Sequence, residues 1–243
     1  MIDYSLYFLS TFILSTIFAI AGLGSAVALV PTLNMIGVSF DIARASGLFV
    51  NSISTITISF LNFKNKLFDK DFVAPLVLSS VVFAYFGSKF SLTIDQDVVK
   101  NIFGVALIII STMIFFKPKK KIDTDTNKKK ILIFSGAIGG FFSGFLGIGG
   151  GSIIAPILFL FGYDPKKVAL GISFVIPFSS ITAFSTYASV ISLDYILLLV
   201  VGVAAYFGGL LGNYILVFKI SSQMVKNILA IALYLLAFKM LFF

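Results

Sequence analysis

Cysteine and histidine are both absent from the 243-residue sequence. Their absence removes disulfides, thiolate nucleophiles, histidine metal sites and histidine proton relays together. Charge is scarce as well, at 12% of residues, about half the share of a soluble protein. The few acids, Asp41, Asp69, Asp95, Asp97, Asp164 and Asp194 among them, sit near the ends of apolar segments, where helix capping is their expected role. No carboxylate falls in the middle of such a segment. A buried proton relay and general acid–base catalysis therefore lack players, which argues against an intramembrane enzyme. No cofactor or metal is expected.

What remains is apolar: 59% of residues are hydrophobic and the mean hydropathy is +1.09. That leaves too little polar surface to cover a globule in water, so lipid is the solvent that fits. The net charge of +8 is explained by Lys and Arg collecting in cytoplasmic loops, without a nucleic-acid partner. The start, Met1-Ile2-Asp3, lacks the basic region of a signal peptide, and no small-residue cleavage site follows the first apolar run, so that run is expected to be retained.

Charges divide the chain into apolar stretches. Four occupy a first half, residues 1–116: Ser5–Ile36, Ile42–Asn62, Phe72–Phe90 and Val98–Phe116. A polar linker, 117–130, carries seven Lys. Four more occupy residues 131–243: Ile131–Phe161, Val168–Val190, Tyr195–Phe218 and Met224–Phe243. Most have about 20 residues, which crosses a ~30 Å hydrocarbon core as a helix. Backbone polar groups must be satisfied internally there, which makes each segment helical and the fold an all-α polytopic membrane protein.

The halves repeat. Gly22-Leu23-Gly24 matches Gly147-Ile148-Gly149 at an offset of 125, as do Pro31 and Pro156, Gly37 and Gly162, and Asp69 and Asp194. Later the offset is 126, where Val99-Lys100-Asn101-Ile102 matches Val225-Lys226-Asn227-Ile228. The first segment of each half is too long for one crossing and is interrupted by glycine. If each crosses once, the repeats are parallel, and Lys and Arg divide eleven against seven between the two sides. If each goes in and returns, the repeats are inverted and the division is fourteen against four, with the linker in the cytoplasm and both termini outside. The second arrangement obeys the positive-inside rule better.

The sharpest local feature is Gly144-Phe145-Leu146-Gly147-Ile148-Gly149-Gly150-Gly151-Ser152, followed by Pro156. Glycines in this density break a helix inside an apolar stretch, and broken helices at membrane depth mark transporter binding sites. Backbone amides without a Cβ beside them can approach a ligand closely, and the next half-helix offers its positive N-terminus. Close helix packing is the plainer use of such glycines, but a second break in register, Gly22-Leu23-Gly24-Ser25-Ala26, favours a site. A nucleotide fingerprint is excluded by context: no βαβ pattern, no acid about 20 residues on, and no Walker lysine.

The expected substrate site therefore comprises Gly22, Gly24, Ser25, Gly147, Gly149, Gly150, Gly151 and Ser152. Asn51 joins them as the costliest neutral side chain to bury on its segment. Hydroxyls on the pair Ile42–Asn62 and Val168–Val190 (Ser52, Ser54, Thr55 and Thr57; Ser173, Ser179, Ser180 and Thr182) serve as interhelical links, with Ser173 and Ser179 as further site candidates. Pro177 should kink its helix. Arg44, the single arginine, either snorkels to the interface or reaches a substrate vestibule.

The pattern Gly144-x-x-Gly147-x-Gly149-Gly150-Gly151-x4-Pro156, with its weaker copy at Gly22–Pro31, resembles the TauE/SafE sulfite-exporter family of membrane permeases. The turn Tyr163-Asp164-Pro165-Lys166-Lys167-Val168-Ala169 is similar to the family's short polar turn before its next helix. The resemblance implies a secondary transporter of small sulfur-containing anions (sulfite, sulfonates or sulfoacetate-like compounds) in the cytoplasmic membrane. The first half departs from the pattern, with Gly-Leu-Gly-Ser-Ala in place of a glycine triplet. An anion channel of the same fold is the alternative. Expected partners are a small organic or inorganic anion and the bilayer; a homo-oligomer is left open.

Overall fold

A computed structural model describes residues 4–113 apart from 21 and 23, residues 125–221, and 223–225, 227, 228, 231 and 234. The expected segment Met224–Phe243 thus lies mostly outside the described residues, as does most of the linker. Those described form ten helices and no strand. They are α1 (Tyr4–Ile20), α2 (Ala26–Met35), α3 (Phe40–Lys64), α4 (Lys70–Ser91), α5 (Gln96–Met113), α6 (Asp125–Leu146), α7 (Gly151–Leu160), α8 (Pro165–Ser173), α9 (Ile176–Ala188) and α10 (Tyr195–Phe218).

Hydropathy alone places most boundaries. Four helices are long and apolar enough to cross a membrane: α3, α4, α10 and most of α6. The pair α8–α9, bent by 46°, makes a fifth. The bend falls just before Pro177, the second residue of α9, where its missing N–H and ring oppose a continuous helix. One boundary differs from expectation. α6 begins at Asp125, inside the expected linker, so Lys128–Lys130 belong to its first turns rather than to a loop. Asp69 and Asp194, at matching positions, cap α4 and α10: Asp69 accepts from Phe72 N–H, and Asp194 from Ile196 and Leu197 N–H.

The two halves share backbone conformation as well as sequence. The six described glycines with positive φ fall into three pairs at the offset of 125: Gly22 and Gly147, Gly24 and Gly149, Gly37 and Gly162. Only glycine adopts this left-handed region cheaply, so the breaks require glycine at these positions whatever lies between them.

Small residues hold the helices together, as expected where lipid supplies no hydrophobic drive for helix association. Gly136, Gly140 and Gly144 bring one face of α6 onto α4, against Leu76 and Ser79, then Ser80, then Ala84 and Ser88. α4 and α6 therefore run parallel. Gly208 and Gly212 bring α10 onto α1 in the same way, against Phe12 and Ser15, then Thr16 and Ala19. Each half thus lends its first helix to a helix of the other half.

The course of the broken segment follows from α7. Had α7 continued the direction of α6, Ile154 would lie roughly 20 Å beyond Gly139 at 1.5 Å per residue. Instead Gly139 touches both Gly150 and Ile154, so α7 folds back along α6. Two poles result. At one, the Lys167 ammonium lies 3.0 Å from Asp69 Oδ2, and Lys166 donates to the carbonyls of Val217 and Ile220 at the end of α10. That pole holds the starts of α4, α6 and α8. The other holds the start of α3, the end of α4 and the end of α9, joined through Arg44. Corresponding helices α4 and α10 leave from opposite poles.

Candidate functional site

The two glycine breaks meet at Asn51. This residue stands in the middle of α3, fully buried, and its carboxamide reaches both breaks. Oδ1 accepts from Ala26 N–H, the first residue of α2, at 2.9 Å, and Nδ2 donates to the Ile148 carbonyl at 3.3 Å. Ser25, the residue before α2, makes no side-chain cap, so Asn51 caps that helix from another element. Glycine is what lets it in. A Cβ at Gly24 or at Gly149 would collide with the Asn51 carboxamide.

The other expected residues gather around this contact. Ser25 Oγ lies 2.9 Å from Ser15 Oγ, and Ser152 Oγ donates to the Gly149 carbonyl at 3.3 Å. Gly22 packs on Ala169, and Gly147 packs on Arg44, which occupies the corresponding position of the other half. α7 begins after Gly150 with no side-chain cap. Its N-terminus, like that of α2, carries roughly half a positive elementary charge. Ser180 comes nearer than the sequence indicated. Its hydroxyl would lie 3.5 Å from a Cβ at Gly149, and it is buried without a hydrogen-bond partner. It was visible as one of several hydroxyls on its segment, but which of them faces the break is decided by packing. Gly22, Gly24, Ser25, Asn51 and Gly147–Ser152 are all buried, which makes this a closed state.

Two candidates have their hydroxyls engaged with other partners. Ser173 Oγ donates to Leu170 O and accepts from Asn62 Nδ2 at 3.3 Å. Asn62 is eleven residues along α3 from Asn51, roughly 16 Å away. Ser179 turns back on its own helix and donates to Ile176 O.

Arg44 does not snorkel. It is 1% exposed, in contrast to the interfacial position that the sequence left open. Nη1 donates to Ser91 Oγ at 2.6 Å, to Phe145 O at 3.2 Å and to Tyr187 Oη at 3.1 Å, while Nη2 pairs with Asp41. Tyr187 in turn donates to Gly144 O at 2.8 Å. Burial follows from partners, because a cation so placed is costly unless paired and hydrogen-bonded. The cluster binds the terminal carbonyls of α6, the negative end of that helix, just before the second break. Tyr187 escaped the sequence reading, since nothing local marks a tyrosine 143 residues away as a partner of Arg44.

This arrangement offers hydrogen-bond donors and helix N-termini, with no free carboxylate among the residues that meet at Asn51. Such a set is of the kind that suits a negatively charged group.

The chain has relatives among membrane transporters. The chain is 32% identical over 198 residues to a probable membrane transporter protein of Methanocaldococcus jannaschii, an alignment covering 76% of this chain and 72% of that one. It is 25% identical over 228 residues to a probable membrane transporter protein of Bacillus subtilis, covering 82% and 84% respectively. A family profile, Sulfite exporter TauE/SafE, matches residues 7–240. With two glycine-broken half-helices meeting at a buried asparagine and that match over nearly its whole length, this chain belongs to the TauE/SafE sulfite exporter family of membrane transporters.

Proposed function

We propose that the protein is a secondary carrier of small sulfur-containing anions such as sulfite, sulfonates or sulfoacetate, with one central site between the two breaks. The observation that carries the proposal is Asn51, whose carboxamide joins the N-terminus of α2 to the break before α7. In the closed state its Oδ1 occupies the position at α2 that an anion oxygen would take. An arriving anion displaces this oxygen, takes donors from both half-helices and from Nδ2, and meets the unpartnered Ser180 hydroxyl. Arg44 acts from outside the site, by neutralising the carbonyl end of α6.

The repeats, residues 1–116 and 131–243 joined by 117–130, lie inverted in the cytoplasmic membrane. Supporting this are the return of α7 along α6, the opposite courses of α4 and α10, and the fourteen-to-four division of Lys and Arg. Two helix N-termini together offset about one negative charge, so a monoanion suits the site better than a dianion of similar size.

The test is counterflow in proteoliposomes with sulfite, sulfoacetate and simple sulfonates, at mildly acidic and mildly alkaline pH. A carrier shows saturable counterflow and favours the monoanionic form. Single-channel current without counterflow would indicate a channel. Preference for the dianion would contradict the charge assigned to the site.

A further inference from the structure

A groove of about 850 Å³ lies between the first halves of α4 and α6, at the pole that holds Lys167, and Asn51 is not part of its lining. Its mouth is cationic: Lys70, Lys128, Lys129 and Lys167 outnumber Asp69 and Asp71. Lys167 already engages Asp69, and the hydrogen bond it donates holds the Asp69 carboxyl below its usual range. Tyr163, in the turn before α8, also lines the groove, and its buried hydroxyl has no hydrogen-bond partner. Burial raises its pKa, so it stays a neutral donor, with Lys128 close enough to lower that rise.

Beyond the mouth the wall is apolar. It continues along α4 through Ala74, Leu78 and Val82 to Phe83, faced by Leu132 and Ile133 of α6. Leu78 is 72% exposed and Val82 51%, on the surface that meets lipid. From Ala74 to Phe83 the helix rises about 14 Å, close to the depth of one leaflet, half of a ~30 Å core.

We propose that this groove binds an anionic phospholipid from the leaflet on the linker side. The phosphate sits among the lysines and Tyr163, and one acyl chain lies between α4 and α6. A small soluble anion would have no use for 14 Å of apolar wall, and a neutral lipid would have none for four lysines. Basic pockets between membrane helices suit such headgroups. Nothing in the proposal depends on what the central site carries.

The test measures bound lipid by native mass spectrometry, and melting temperature in detergent, after partial delipidation of the full chain. Phosphatidylglycerol is compared with phosphatidylcholine and with soluble glycerol phosphate. Phosphatidylglycerol should be retained preferentially and raise the melting temperature. In the double variant Lys128→Gln/Lys129→Gln its affinity should fall roughly 10- to 30-fold, from the contribution of each lysine near the surface. Ala74→Trp should reduce it similarly by filling the wall. Lys64→Gln/Lys66→Gln, which removes equal charge from the same pole outside the groove, should leave it unchanged. Equal retention of phosphatidylcholine, equal stabilisation by glycerol phosphate, or an equal loss in the Lys64/Lys66 variant would each overturn the proposal. So would undiminished binding in the Lys128/Lys129 variant, which tests the site even if Ala74→Trp does not fold.

Discussion

Replacing Gly149 by alanine should be far more damaging than the same change at its neighbour Gly150. Gly149 has φ +73°, where a side chain costs about 1–2 kcal/mol. The added methyl would also overlap Asn51 Nδ2 and lie 3.3 Å from its Cγ. Asn51 is therefore driven out of place, and Ala26 N–H and Ile148 O lose their partner. Each buried group left unmet costs about 1–3 kcal/mol, so strain and the two groups together come to roughly 3–8 kcal/mol. Gly150 has φ −65°. Its methyl would meet Gly139 O at 3.1 Å and Ile154 Cδ1 at 3.3 Å, a squeeze of a few tenths of an ångström. Gly150 stands at the N-cap of α7, where alanine is less favoured than glycine by up to about 1 kcal/mol, so with the squeeze Gly150→Ala should cost about 1–2 kcal/mol, well below Gly149→Ala. Melting temperature in detergent and counterflow in proteoliposomes should therefore fall sharply in Gly149→Ala and much less in Gly150→Ala. The double variant Asn51→Ala/Gly149→Ala isolates the cause. With Asn51 gone there is no overlap, so adding Gly149→Ala to Asn51→Ala should cost only the backbone strain. Additive effects of the two changes, or a Gly149→Ala protein that melts and transports like the parent, would refute the reasoning.

Other outcomes follow from the same geometry. Arg44→Gln should destabilise the fold by about 2–4 kcal/mol by removing the charge partner of Asp41, which keeps Gln96, and one of the two side-chain donors to Phe145 O, whereas Tyr187→Phe, which loses the bond to Gly144 O and the one from Arg44, should cost about 1–3 kcal/mol; equal melting of Arg44→Gln and parent would remove the structural role of the cluster. For orientation, the chain lacks native cysteine, so Lys64→Cys should react with an impermeant maleimide only after cells are permeabilised, and Thr93→Cys should react in intact cells; the reverse pattern would invert the assigned sides. At Asp69, whose folded pKa is lowered chiefly by the hydrogen bond from Lys167, stability is present above the unfolded value and lost as pH falls through the lower folded one, so melting should not change on this account between neutral and mildly acidic pH. Asp69→Asn, which keeps a cap acceptor, should cost at most about 1 kcal/mol, and Asp69→Ala about 0.5–2 kcal/mol more by losing the cap; equal effects would show that the cap contributes nothing.

Much of this protein was legible from composition and local pattern. A chain with so few charges and such long apolar stretches has to satisfy its backbone internally, so the helices and most of their limits follow from hydropathy. The breaks were legible because Gly22, Gly24, Gly147 and Gly149 adopt a backbone conformation that other residues resist. Asn51 stood out because an amide is costly to bury in lipid without partners. These are properties of single residues and their neighbours.

Tertiary structure decided the rest. That α7 turns back along α6 depends on Gly139 meeting Ile154, a contact between chain segments that no local pattern encodes. That Asn51 serves both breaks depends on bonds spanning 25 and 97 residues. Arg44 was left between the interface and a substrate vestibule because its partners, Ser91, Phe145 and Tyr187, are distant in sequence; only packing brings them near enough to offset its burial. Ser173, Ser179 and Ser180 were hydroxyls on one apolar segment, of which the sequence favoured the first two, and packing gave each a different neighbour: Asn62 for Ser173, its own helix for Ser179, the break for Ser180. Backbone preference and solvent are felt residue by residue and can be read along the chain, whereas the orientation of a buried polar group is set by whatever the fold places opposite it.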